Sequence, residues 1–325
     1  MSLAIGVDIG GTKVAAGVVD ETGRVHDRSR LDTPERSQSP AVVEETLLRT
    51  VAPLLERHPD VVAVGVGAAG FVDAERGTVV FAPHLSWRDE PLQHALEERL
   101  EVPVLVDNDA NAALWAESRF GAARGADHVV MITLGTGIGG AMLIGGSLVR
   151  GRYGLAGEFG HMQVVPGGLR CECGNRGCWE QYSSGNALVR EAQSLVSARS
   201  PMAADLLART GNDPRQLTGP LVTEAAQAGD ATAIELFGEI GHWLGVGLAN
   251  LAAALDPATF VIGGGVSAAG ELLLAPARRT YATQLSGRGH RALADVVVAE
   301  LGNEAGLIGA ADLARRHALH EGGPA

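Results

Sequence analysis

Cysteine, positive charge and long apolar runs are all scarce in this chain, and each scarcity closes off a class of protein. Cysteine occurs three times in 325 residues, an odd number that cannot build the disulfide framework of a small secreted domain. Lys and Arg total 26 against 38 Asp and Glu, for a formal net charge of −12 and a pI near 5.3. Such a chain has no broad positive face for phosphates, which argues against nucleic acid as a partner. An anionic ligand has to be met by local cations or a metal. The most apolar segment, "WLGVGLANLAAAL" (Trp243 to Leu255), falls short of the ~20 residues that cross a bilayer of about 30 Å, and it holds Asn250. The opening "MSLAIGVDIGGTK" has no basic leader, and Asp8 interrupts its apolar stretch. The expectation is a soluble, cytoplasmic protein with no membrane partner, whose thiols stay reduced.

What is present is enough apolar material, 46% of the chain, to fill two cores of ordinary size, with a cleft expected between two lobes. "LAIGVDIGGTKVAAGVVDETGRVHDRSRL" reads as strand, glycine turn, strand, "DETG" turn and third strand. The same plan returns in "HVVMITLGTGIGGAMLIGGSLVRG", with Gly10 falling on Gly135 and Val18 on Leu143, so a duplicated domain is expected. Between the copies, "SPAVVEETLLRTVAPLLERHP" and "PLQHALEERL" have helical spacing and "VVAVGVGAAG" reads as a buried strand. "VPVLVDNDANAALWAESRFG" passes from strand to helix, with Asn108 or Asp109 as N-cap and Gly121 as stop. Alanine-rich helices follow to Asp256-Pro257, then a strand "TFVIGGGVS" and a helical tail. Strands alternating with helices, twice over, give an α/β protein of two similar lobes, with ligands at the strand ends where the glycine turns fall.

"GTGIGG" (Gly135 to Gly140) satisfies G-x-G-x-x-G, but a strand rather than a helix follows, which excludes a dinucleotide fold; "GGTK" lacks P-loop spacing. Both read instead as hairpins whose tight turns let backbone N–H groups approach phosphate oxygens. Asp8, Thr12 and Lys13 are polar among apolar neighbours there.

All three thiols fall in "CECGNRGC", Cys171, Cys173 and Cys178, with His161 ten residues upstream. One nitrogen and three sulfurs suit tetrahedral Zn²⁺ in a closed, structural site. Glu158 and Glu180 bracket the set, so the ion would anchor a loop that presents Glu158, His161 and Glu180 to a ligand.

"DIGGTK", "NDAN", "ITLGTGIGGAMLIGGSLVRGRYGLAGEFGH" and "CECGNRGCWE", in this order, resemble the ROK family of bacterial sugar kinases and repressors, in its glucokinase branch. The resemblance implies the two-lobed actin/hexokinase-like fold, a duplicated ribonuclease H-like α/β arrangement with an interlobe cleft. A small lobe of residues 1–108 plus 304–325 and a large lobe of residues 109–303 carrying the zinc are expected. It also implies ATP-dependent phosphorylation of glucose at its 6-hydroxyl, with ATP-Mg²⁺ as donor and a homo-oligomeric enzyme, dimer or tetramer. Position by position, it implies that Gly10, Gly11, Thr12 and Lys13 form the first ATP phosphate loop, with Asp8 toward Mg²⁺. Gly135, Thr136 and Gly137 form the second, and Gly263, Gly264 and Gly265 contact adenosine. Sugar hydroxyls fall to Gly70, Asn108, Asp109, Glu158, His161 and Glu180, with Asp109 as base. Many members read P-G-x-V-D where this chain has "AAGFVD", with Ala69 in place of proline.

Alternatives of other classes follow from the same features. A kinase for mannose, fructose or an N-acetylhexosamine would differ in a pocket contact. A sugar-sensing repressor would carry a DNA-binding helix-turn-helix ahead of the first glycine loop, where only seven residues precede Asp8. An actin-like ATPase would share the hairpins without the cysteine loop.

Overall fold

The computed structural model describes residues 2–321; residues 322–325, the end of the expected small lobe, lie outside the described residues. The elements run β1 (Leu3–Ile9), β2 (Lys13–Val19), β3 (Val25–Asp32), α1 (Pro40–Arg57), β4 (Val61–Ala68), β5 (Phe71–Val72), β6 (Val79–Phe81), β7 (Arg88–Glu90), α2 (Leu92–Leu100), β8 (Val104–Asn108) and α3 (Asp109–Phe120). Then come β9 (Val129–Leu134), β10 (Ile138–Ile144), β11 (Ser147–Leu148), α4 (Gly185–Ser197), α5 (Ala204–Arg209), α6 (Gly219–Gln227), α7 (Ala231–Leu255), β12 (Thr259–Gly263), α8 (Glu271–Gln284), β13 (Asp295–Val298) and α9 (Ala305–Glu321). No helix among the described residues is long and apolar enough to cross a membrane.

The duplication read from the sequence is present in the topology. One five-stranded sheet has the order β3-β2-β1-β4-β8 and the other β11-β10-β9-β12-β13, the same connectivity strand for strand. In each, a glycine-turned hairpin gives way to parallel strands, β1 beside β4 and β4 beside β8, β9 beside β12 and β12 beside β13. Parallel strands buried on both faces read as continuous apolar runs, which is why "LAIGV" and "FVIG" carry no alternation. A small third sheet, β5-β6-β7, has strands too short to leave a period in the sequence.

The chain forms two compact units. One holds the stretch up to Asp127, Ala141–Gly157 and the stretch from Ala299; the other holds His128–Gly140 and Glu158–Val298. The division therefore differs from the expected boundary at residue 108, because α3 packs with α9 in the first unit. Helix α9 lies on that unit's sheet with unusually close backbone approach: a Cβ on Gly6 or Gly65 would overlap the Leu307 or Ala310 carbonyl. On its other side, a Cβ on Gly309 would overlap the Ala112 carbonyl of α3. Small residues in "AGLIGAADLA" thus let α9 fit between sheet and α3. Trp87 is fully buried in this unit's core, a packing role rather than a ligand platform.

In the second unit, α7 meets α8 in the same manner. Gly241 and Gly245 face the backbone of Leu273 and Ala277 with no room for a side chain. Asp256, in the left-handed conformation, ends α7 where Asp256-Pro257 was expected to stop it.

Candidate active site

Both glycine turns are held from behind through their carbonyls. In the first unit, Gly10 N–H donates to the Lys13 carbonyl at 3.1 Å. Thr33 reaches across from beyond β3, its hydroxyl donating to Gly10 O at 2.7 Å and its N–H to Thr12 O at 3.2 Å. In the second unit, Gly135 N–H donates to Gly137 O at 3.0 Å, while Gly185 and Asn186, at the start of α4, donate to Gly135 O and Thr136 O at 2.8 and 3.3 Å. With carbonyls fixed on one side, amides on the other can serve an anion. Gly264 has φ 81°, and a Cβ there would strike the Leu134 backbone. The Ser267 hydroxyl closes this turn on Gly264 O at 2.7 Å.

Asp8, next to last in β1, lies beside the start of α9, where a Cβ on Gly306 would sit 3.2 Å from Oδ1. Burial pushes its carboxyl up from the ordinary range, and the Lys13 charge partly offsets this.

Of the two candidate caps for α3, Asn108 is the cap. Its Oδ1 accepts from Ala110 N and Asn111 N at 2.9 and 3.1 Å, and its Nδ2 donates to Gly70 O at 3.0 Å. This last bond ties the Gly70 turn to the helix. Gly70 has no room for a Cβ against Ala82, at 3.0 Å. Asp109 is the first helical residue, half-buried, with Oδ1 accepting from Ala110 N at 2.9 Å. Asp107, one residue before the cap, is buried and paired with Arg150.

In the second unit, His161 closes a 3₁₀ turn, Phe159–His161, and Glu180 sits in another, Trp179–Gln181. Single bridges Gln163↔Cys178 and Arg170↔Arg176 fold the intervening stretch back on itself. Trp179, fully buried, anchors it: its Nε1–H donates to Trp243 O of α7 at 2.7 Å, and Gly247 makes room for its ring. The metal-ligating atoms of His161, Cys171, Cys173 and Cys178 all lie within 4.8 Å of one another. Cys173 Sγ lies 3.6 Å from Cys178 Sγ, and Cys171 Sγ 3.7 Å from His161 Nδ1. These four residues form a donor set able to hold a metal ion.

The two glutamates flank His161. Glu158 Oε2 is 4.0 Å from Nε2, and Glu180 Oε1 is 3.5 Å from Nδ1 and 3.1 Å from Cys171 Sγ. Burial raises the Cys171 thiol well above its usual range, as does its hydrogen bond to Glu180. Partial desolvation raises the Glu158 carboxyl; the His161 charge opposes this and the Glu180 charge adds to it.

The expected site residues thus gather in two sets. Asp8, Gly10 to Lys13, Gly70, Asn108 and Asp109 belong to the first unit; Gly135 to Gly137, Gly263 to Gly265, Glu158, Glu180 and the four candidate metal ligands belong to the second. Thr33, Asp107, Arg150 and Trp179 were not singled out by the sequence. The first three act across long sequence distances, and only Trp179, directly after Cys178, carried a local signal.

A glucokinase of Streptomyces coelicolor is 48% identical over 315 residues, covering 97% of this chain and 98% of that protein. The crystal structure of a ROK family glucokinase from Streptomyces griseus in complex with glucose and AMPPNP is 51% identical. It matches with a TM-score of 0.88 over 97% of this chain and all of that one. The ROK hexokinase of Thermus thermophilus is 34% identical, with a TM-score of 0.78 over 98% of this chain and 100% of that chain. The ROK family model matches residues 4–317, from the first strand of the meander to the last turns of α9, and the chain belongs to the ROK family.

Proposed function

We propose that this chain transfers the terminal phosphoryl group of ATP to the 6-hydroxyl of glucose. The observation that carries the reading is the 51% identity, across 97% of this chain, with an enzyme crystallised with glucose and AMPPNP. Phosphoryl transfer asks a protein for in-line positioning and charge neutralisation rather than covalent chemistry, and each part of the site answers one of these needs.

Asp109 is the base. Its carboxylate takes the proton of the 6-hydroxyl as that oxygen attacks phosphorus. Asn108 gives Oδ1 to the helix and one Nδ2–H to Gly70, which retains a second N–H for a sugar hydroxyl. Glu158, His161 and Glu180 read the remaining ring hydroxyls. An epimer that leaves one of these polar groups unpaired is penalised. With the Gly10 and Gly135 N–H groups donating inside their own turns, Gly11, Thr12, Thr136 and Gly137 offer theirs to the phosphates, Lys13 adds charge, and Gly263 to Gly265 pack against adenosine. Asp8 would hold Mg²⁺ through water, as that ion keeps several of its waters, and Mg²⁺ neutralises charge on the transferred group.

The metal of the cysteine set is zinc on this reading. Zinc–sulfur bonds of about 2.3 Å and zinc–nitrogen bonds of about 2.0 Å place tetrahedral ligand atoms roughly 3.5–3.8 Å apart, and the 3.6 and 3.7 Å separations fit. Held by these four ligands, zinc would leave no position open to water and would serve to stiffen the loop. Nδ1 of His161 faces the sulfurs, leaving Nε2 to the sugar. A cytoplasmic homo-oligomer completes the reading.

The test is a panel of hexoses with ATP-Mg²⁺ and the purified protein, reading ADP release. Glucose is expected to give the highest kcat/KM. A higher value for mannose, fructose or N-acetylglucosamine reassigns the substrate, and no sugar-dependent ADP release removes the kinase reading.

A further inference from the structure

Asp107 takes no part in the reading above, yet its carboxylate gathers three separate partners. The side chain is 3% exposed. Its Oδ1 accepts from Asn108 N–H at 2.9 Å and Asn111 Nδ2 at 3.0 Å. Arg150 grips the same carboxylate with two prongs, Nε at 3.2 and 3.0 Å from the two oxygens and Nη2 at 2.5 Å from Oδ2. One carboxylate therefore fixes the backbone at the cap, a side chain in the first helical turn, and a guanidinium 43 positions along the chain.

Arg150 opens the segment that leads out of this unit. Ala156 N–H donates back to Arg150 O at 2.9 Å. Gly154, with φ 84°, lies so close to the Val72 and Asp73 backbone that a Cβ would collide. This stretch of the unit runs to Gly157. A buried ion pair is a poor source of stability, since apolar residues of similar volume often hold a fold as well or better. The planar fork, by contrast, holds its partner in one orientation.

We propose that Asp107 and Arg150 are positioning residues for phosphoryl transfer. The pair sets the orientation of the Asn108–Asp109 helix start. This role rests on Asp109 acting as the base.

The experiment compares wild type, Asp109→Asn, Arg150→Met, Arg150→Lys and the double variant Asp107→Leu/Arg150→Met for kcat, glucose KM and melting temperature. Turnover in wild type and its loss in Asp109→Asn test the base reading alone; if either fails, that reading falls and the positioning role with it. Arg150→Met leaves Asp107 buried without its partner, so both melting temperature and kcat are expected to drop. The double variant removes both charges and is expected to recover the melting temperature while kcat stays about 10- to 100-fold down. Recovery of kcat together with melting temperature would show a purely structural pair and overturn the proposal. Should the double variant not fold, Arg150→Lys decides, because it keeps the charge and loses the fork. Reduced kcat at an unchanged melting temperature supports positioning, and wild-type kcat overturns it.

Discussion

Gly137 lies against Glu180: a methyl group on its α-carbon would overlap the carboxylate oxygen Oε2. The other oxygen of Glu180 faces Cys171 Sγ and His161 Nδ1. One side chain thus borders the Gly135–Gly137 turn, the metal-ligand set and the group proposed to read sugar hydroxyls. Gly137→Ala must displace Glu180, and it is expected to raise glucose KM and lower kcat together, with kcat/KM down by about 100-fold. Gly135→Ala is the control, because a Cβ there meets nothing within 4 Å. Its glucose KM should stay near wild type in steady-state assays; equal glucose effects from the two variants would contradict the Glu180 contact.

Asp109→Asn keeps the size of the side chain and its place at the helix start but cannot accept a proton. Loss of general base catalysis costs typically 10²–10⁴-fold, so kcat is expected to fall by about that factor while glucose affinity, measured by calorimetry, changes little. Weakened binding with little loss of turnover would assign Asp109 to binding instead.

Cys171→Ser removes one sulfur from the four-ligand set. Structural zinc in small metal-dependent folds supplies roughly 10 kcal/mol or more of folding free energy, so loss of one ligand is expected to release the ion and loosen the loop holding His161 and Glu180. Metal analysis should find one zinc per chain in wild type and well below one in the variant, with glucose affinity lost while α7 and the two sheets persist by circular dichroism. Active wild type without zinc would remove the metal from the reading.

Much of this was legible wherever the signal was local. The two meanders were readable because each apolar run breaks at glycines, and the matching strand orders follow from that repeat. The cysteine loop was readable because four potential ligands lie within 18 residues of sequence. Contacts made across the chain were not. Thr33 meets Gly10 from 23 positions away, and Arg150 meets Asp107 from 43; nothing in the spacing of either pair announces the other. The unit boundary was missed for a similar reason: α3 belongs with α9 because Gly309 admits the Ala112 carbonyl, a fit that no periodicity encodes. The choice between Asn108 and Asp109 as cap likewise depended on where the side chains point.

Asp20 gives the first unit a defined acid limit. It is buried in the β2–β3 turn, and burial acts to raise its carboxyl. That effect is overcome by hydrogen bonds from Thr22 Oγ1 at 2.6 Å, Thr22 N at 2.8 Å and Arg24 N at 3.1 Å, with His26 Nε2 2.6 Å from the other oxygen. The net result holds the group well below the usual carboxylate range. An unfolded chain carries an ordinary aspartate with pKa about 3.9, so as pH falls the unfolded state takes up this proton first. The stability contributed by Asp20 is therefore complete above about pH 5 and drains away as pH falls toward the lower folded value. Asp20→Asn keeps an acceptor for Thr22 and the backbone but loses the charge, at a cost of about 2 kcal/mol at pH 7. Melting temperatures of wild type and variant should differ clearly at pH 7 and converge progressively below pH 5. A gap as wide at pH 3 as at pH 7 would mean that the turn is held by shape alone, with the charge contributing nothing.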